Sequence, residues 1–230
     1  MSDESNSDKI VPHPYLAFVG SALRSIAASV PIAASAAQAW SEYESHRTVQ
    51  RIQELLANLQ AELDSLNRTA REHAAALERC QDFPELLEIA IDMVRKEFSE
   101  SKRAKYARAL AKFVATDVDQ GHDDRIALLQ SLDALTETDL RVLQLFRGKQ
   151  QAAIGDLQWA SLEFPGDESN QLWEVASHLS KLASRGLVYL ISEWPSVAHV
   201  PRGLTLEAAR LRELKYHLSP LGIRLIRALE

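Results

Sequence analysis

Two stretches near the C-terminus decide the fold: Trp173-Glu-Val-Ala-Ser-His-Leu-Ser-Lys-Leu-Ala-Ser-Arg-Gly-Leu-Val-Tyr-Leu-Ile191 and Leu214-Lys-Tyr-His-Leu-Ser-Pro-Leu-Gly-Ile-Arg-Leu-Ile-Arg-Ala-Leu229. Leu172, Val175, Ala176, Leu179 and Leu182 recur at helical spacing and must face a core. Gly186 ends that helix, because glycine tolerates the left-handed backbone of a helix C-terminus. Leu187 to Glu193 then alternates as a strand. In the second stretch Leu214, Tyr216 and Leu218 alternate as a return strand. Pro220 opens a last helix that buries Leu221, Leu225 and Ile226, since proline fits the first helical turn.

Working outward, residues 136–147 form a helix opened by Thr136 and Asp139 at capping-box spacing, with Leu140, Leu143 and Phe146 as its apolar face. Ile154 to Leu162 holds a short second helix, and Phe164-Pro-Gly-Asp-Glu-Ser169 is a turn by composition. A third helix runs from about Asn170 to Ser184. The paired texts L-x-x-L-x-x-x-G-L-V (from Leu179) and L-S-P-L-G-x-x-L (from Leu218) resemble the winged helix-turn-helix of MarR-like bacterial regulators. The resemblance covers about residues 136–229. One stretch departs from it: Trp194 to about Glu213 is longer than a usual wing, and Thr205-Leu-Glu-Ala-Ala-Arg-Leu-Arg is expected to form its own turn of helix.

That resemblance implies a third helix lying in the DNA major groove and a wing touching phosphate or the minor groove. The matching solvent-side positions are Asn170, Gln171, Glu174, Ser177, His178, Lys181 and Arg185, with His199 and Arg202 on the wing. Asn, Gln and Arg can read base edges. Glu174, Asp167 and Glu168 would repel phosphate. From Thr136 to Glu230 there are 11 Lys and Arg against 11 Asp and Glu. Phosphate binding draws on a basic surface, so this balance favours weak DNA binding or a protein-docking role.

The preceding half is different in kind. No glycine occurs between Gly20 and Gly121, which predicts an almost wholly helical region. Met1 to about Ile10 is an acidic tail, expected to be disordered, where a secretory leader would be basic. Residues 11–41 carry one charge, Arg24, and are rich in Ala and Ser. A core helix with small side chains is the preferred reading. Membrane contact through residues 15–40 is the alternative. Ile52, Leu56, Leu59, Leu63, Leu66, Ala70, His73 and Leu77 alternate spacings of four and three, a coiled-coil seam that suits a hairpin or an oligomer interface. Asp82 ahead of Phe83-Pro84 marks a helix start. Arg95 to Lys112 holds seven basic and two acidic residues, with Lys102, Lys105 and Lys112 able to share one face. A solvated helix face is the preferred reading of that stretch, and a phosphate or acidic-partner surface the alternative.

Catalytic chemistry is not expected. Asp117, Asp119, His122, Asp123 and Asp124 fail the calcium-loop pattern, because Gly121 is fifth and Leu128 twelfth. They read as a hinge, with Asp123 or Asp124 capping the next helix. Cys80 is the only cysteine, which excludes an intrachain disulfide and suits a reducing cytosol. Neither nucleotide-loop glycines nor paired metal-ligand motifs occur, so no cofactor is expected. The net charge of −6 means that any nucleic-acid contact must be local.

The expected architecture is mainly α: an N-terminal helical bundle or coiled-coil hairpin, then a winged helix with a small β-hairpin. The division is a tail at 1–10, a helical domain at 11–133 and a winged-helix domain at 134–230. The expected function is that of a cytoplasmic, non-enzymatic regulator. Its winged helix binds DNA through Asn170, Gln171, Ser177, His178, Lys181, Arg185 and Arg202, and its helical region homo-oligomerises or senses. The alternative is a protein–protein adaptor or membrane-associated component of a bacterial multi-protein system, with the winged helix docking a protein partner.

Overall fold

The computed structural model describes residues 46–66, 76, 79–115, 121–157, 159–191, 200–201 and 204–230. The chain is mainly helical and carries a small three-stranded antiparallel sheet. It forms two compact units, Met1–Asp119 and Gln120–Glu230. The expected acidic tail, the apolar segment 15–40, Ala70, His73, Leu77, Asp117, Asp119, His199 and Arg202 lie outside the described residues. Among the described helices none is long and apolar enough to cross a membrane.

In the first unit α1 (His46–Ser65), α2 (Phe83–Lys96) and α3 (Glu100–Ala115) pack together. The seam expected to oligomerise is used here inside the chain. Ile52, Leu56, Leu59 and Leu63 are buried, α1 packs on α2 and α3, and Leu66 at the end is half-buried. Val49 and Leu55 are buried too. They widen the stripe beyond the narrow a/d seam of a two-stranded coil, as packing on two neighbours requires. The α2 start falls where Asp82 and Pro84 place it. The Asp82 carboxylate makes no cap bond and lies 3.3 Å from the Cys80 thiol instead.

The basic stretch is largely neutralised within this unit. Arg95 pairs with Asp92 at 3.3 Å, Lys102 with Glu97 at 3.0 Å, Arg108 with Glu62 at 2.9 Å, and Arg103 with Glu54. Lys102 is only 7% exposed, so Lys102, Lys105 and Lys112 do not make a shared solvent face. Lys105 reaches Ser101 Oγ at 2.8 Å. Burial pushes the Glu97 carboxyl up, but hydrogen bonds from the Ser99 amide and from Lys102 outweigh it and leave it below its ordinary value.

The second unit begins with α4 (His122–Ala134) and α5 (Glu137–Gln144). The expected boundary near Ala134 moves to Asp119. Helix α4 belongs with the C-terminal unit because it packs on α8 (Pro220–Leu229), where Arg224 pairs with Asp124 at 3.1 Å. Neither Asp123 nor Asp124 caps α4. Gly121 holds that position, and its carbonyl accepts from the Asp124 and Arg125 amides at 3.1 and 3.3 Å.

The chain continues through β1 (Gln151–Ala153), 3-10 turns at Ile154–Asp156 and Trp159–Leu162, α6 (Glu168–Ser184), β2 (Val188–Leu190), α7 (Leu206–Glu213), β3 (Lys215–Leu218) and α8. The expected short second helix is therefore two 3-10 turns. The expected hairpin is β2 with β3, and β1 adds a third strand. The sheet order is β1-β3-β2, with Ala152 opposite Tyr216 and Tyr189 opposite His217. Helix α7 is the helical turn expected in the long wing segment, capped by Thr205, whose side chain accepts from the Ala208 amide at 3.1 Å.

The two deciding stretches of sequence meet. Gly186 adopts φ +70° and releases the chain from α6 into β2. The Leu187 carbonyl then accepts the Ser219 amide at 3.0 Å. Ser219 caps α8 by accepting from the Gly222 amide at 2.9 Å. Gly222 lies so close to Leu187 that a Cβ there would be 3.1 Å from the Leu187 carbonyl carbon and would overlap its oxygen. The Ser-Pro-Leu-Gly text thus supplies a cap, a helix-starting ring and the one residue small enough for this approach.

Candidate functional site

Helix α6 is the element on which the expected contacts converge. Asp167 caps it, its side chain accepting from the Asn170 amide at 2.9 Å. Its apolar stripe (Leu172, Val175, Ala176, Leu179 and Leu182) is buried as read from the sequence. The opposite side carries Asn170, Trp173, Glu174, Ser177 and, at the C-cap, Arg185, all exposed.

Three of the expected DNA contacts on this helix have hydrogen-bond partners within the fold. The Gln171 side-chain amide donates to the Phe164 carbonyl at 2.8 Å and to the Gly166 carbonyl at 3.2 Å, pinning the turn before α6. Gln171→Ala is expected to cost about 1 kcal/mol, seen as a lower urea midpoint with the rest of the unit intact. His178 and Lys181 both turn to Asp139, which is 0% exposed at the start of α5. His178 Nδ1 lies 2.7 Å from one carboxylate oxygen, and the Lys181 ammonium contacts the other. A carboxylate only accepts, so Nδ1 carries the proton of that bond. The imidazole also stacks on Phe164, with ring centres 5.6 Å apart.

Asp139 is a hub that the sequence shows only in part. Its capping box with Thr136 is present in full: the Asp139 amide donates to Thr136 Oγ1 at 3.2 Å, and the Thr136 amide donates to Asp139 Oδ2 at 2.7 Å. Burial pushes this carboxyl up, but hydrogen bonds from Lys181, His178 and Thr136 prevail and hold it at about 2, against an ordinary 3.8. The clue available beforehand was the three-residue spacing of His178 and Lys181. Their common acceptor, about forty residues earlier, was not.

The acidic residues expected to repel phosphate are also engaged. Asp167 is the cap, and Glu168 pairs with Arg212 of α7 at 2.9 Å. The Arg212 stem lies against Gly155, in space that a side chain would fill. Glu174 remains exposed on the outer face.

Beside these polar side chains, α6 and the segment after it expose four large apolar ones. Trp173, Tyr189, Leu190 and Ile191 are each 47–49% exposed. The Tyr189 ring stacks on His217 at 4.9 Å, which fixes its direction. Leu190 stands opposite Tyr216 in the sheet register, and the buried Tyr216 phenol bonds Ser180 of α6. Leu190 therefore shares the side of the sheet that faces α6. Trp173 and Ser180 lie on one face of α6, roughly 10 Å apart along its axis.

No protein-family model, characterised protein or solved structure matches the chain. Among the described residues no group of three or more His, Cys, Asp or Glu could hold a metal ion. The buried Cys80 thiol has the Asp82 carboxylate at 3.3 Å and the Phe113 carbonyl at 3.9 Å. The arrangement exposes Trp173 on α6, Leu190 on the α6-facing side of the sheet and Tyr189 on the other side.

Proposed function

We propose that the C-terminal unit is a winged-helix module that docks a protein, in a cytoplasmic, non-enzymatic adaptor. The element order, the β1-β3-β2 sheet and the position of α6 support the winged-helix part. The docking part rests on one observation. The face of α6 that would enter a DNA groove has committed Gln171, His178 and Lys181 inward and shows Trp173 and Glu174 outward. Trp and Tyr anchors dominate protein interfaces, where they bury large area at low entropy cost. DNA affinity instead comes first from cations placed on phosphates. DNA binding is the second reading, favoured by exposed Asn170, Ser177 and Arg185.

Two variants separate these readings. Trp173→Asp is expected to remove a specific set of co-purifying proteins that Arg185→Ala retains. In a gel-shift assay at low salt, neither wild type nor variant is expected to retard genomic fragments. Retardation that Arg185→Ala abolishes and Trp173→Asp leaves intact would overturn the docking reading in favour of DNA.

A further inference from the structure

A cleft of about 260 Å³ opens between the turn after α5 and helix α8. Its apolar lining is Phe146, Leu218, Ile223 and Ile226. Phe146 is fully buried, and Leu218 and Ile226 nearly so. Arg147, Lys149 and Arg227 supply three cations, and Glu230 brings its side-chain carboxylate. That carboxylate lies 2.8 Å from Arg147 Nε. Lys149 Nζ donates to the Asp156 carbonyl at 2.7 Å, a contact that leaves its charge in place. Two helices end here, α5 at Gln144 and α8 at Leu229, and their carbonyl ends favour nearby cations. That accounts for cations on the surface. It does not account for an apolar recess beneath them.

We infer that this cleft binds a small organic anion: one or two aromatic or aliphatic rings against Ile223 and the accessible edges of Leu218 and Ile226, with a carboxylate held by Arg147. Glu230 occupies the anion position in this structure and shows the geometry, an acidic oxygen facing a planar guanidinium. The volume limits the body. Drug-sized ligands fill pockets of roughly 300–1,000 Å³, so the occupant is smaller than those. The site is separate from the exposed face of α6 and does not depend on the docking reading.

The test uses the full chain with 2-naphthoate as the anion and 2-naphthamide as its uncharged counterpart. Binding is followed by calorimetry and by backbone amide shifts. Naphthoate is expected to perturb the amides of residues 146–150 and 223–230 and to bind at least ten-fold more tightly than naphthamide. Arg147→Ala should weaken naphthoate about ten-fold, and Glu230→Ala should tighten it several-fold by removing the internal competitor. Arg147 is 73% exposed at its side chain, so neither change threatens folding. Absence of binding at millimolar naphthoate, equal affinity for the amide, or indifference to both substitutions would each overturn the proposal.

Discussion

Replacing Gly222 by alanine is expected to destabilise the C-terminal unit by about 3 kcal/mol or more, at the upper end of what overpacking costs. The added methyl meets the Leu187 carbonyl, a backbone atom with no rotamer to change. That carbonyl cannot swing aside cheaply, because it accepts the Ser219 amide at 3.0 Å. Leu218 Cδ2, at 3.3 Å, closes the other side. Relief requires α8 to lift away from the α6–β2 junction, which uncovers Leu225 and Ile226. The measurement is urea unfolding followed by tryptophan fluorescence, since three of the four tryptophans (Trp159, Trp173 and Trp194) lie in this half. Gly148→Ala is the control. Gly148 has φ +73° with nothing within 4 Å, so only backbone strain of about 1–2 kcal/mol applies. Equal losses from the two changes would show that the Leu187 contact does not matter.

Replacing Asp139 by alanine is expected to cost about 3 kcal/mol. The capping box contributes about 1 kcal/mol. The charge-assisted bonds from His178 and Lys181 supply the rest. Both donors keep partial access to water, at 22% and 39% side-chain exposure, so they recover some hydration when the carboxylate goes. The pH dependence is a second signature. The folded carboxyl sits at about 2, below its ordinary 3.8. Its stabilisation is therefore complete above about pH 4 and is lost as the pH falls towards and through 2, a change of about 2 kcal/mol. Asp139→Asn should remove that acid-limb slope while keeping the helix start. An unchanged slope in the Asn variant would mean that another carboxylate governs acid unfolding.

The parts of the fold legible in the sequence were those with local causes. The Thr136–Asp139 box, the Gly186 turn, the Ser219-Pro220 start and the stripe of α6 each follow from residues within a turn or two of one another. Strand β1 was not legible, because Gln151-Ala-Ala has no β-branched or aromatic residue. It is a strand only because β3 pairs with it. The α1 seam showed where apolar side chains face, but a repeat does not say whether its partner is another copy or the next helix. The partners of the α6 side chains were hidden for the same reason. Helical spacing put His178 and Lys181 on the polar side of α6, and their acceptor lies 39 and 42 residues away. Trp173, apolar on a polar face, was visible as text, but its exposure needed the three-dimensional arrangement.

The sheet order has a consequence for how this unit is made. The central strand, Lys215–Leu218, is the last of the three to be synthesised. Until it emerges, Gln151–Ala153 and Val188–Leu190 have no neighbour to pair with. At ribosomal speeds of about 5–20 residues per second, the apolar stripe of α6 and both unpaired strands wait on the order of seconds for closure. Over that interval the nascent chain offers chaperones an accessible apolar target, and a pause or truncation before Lys215 would leave it aggregation-prone.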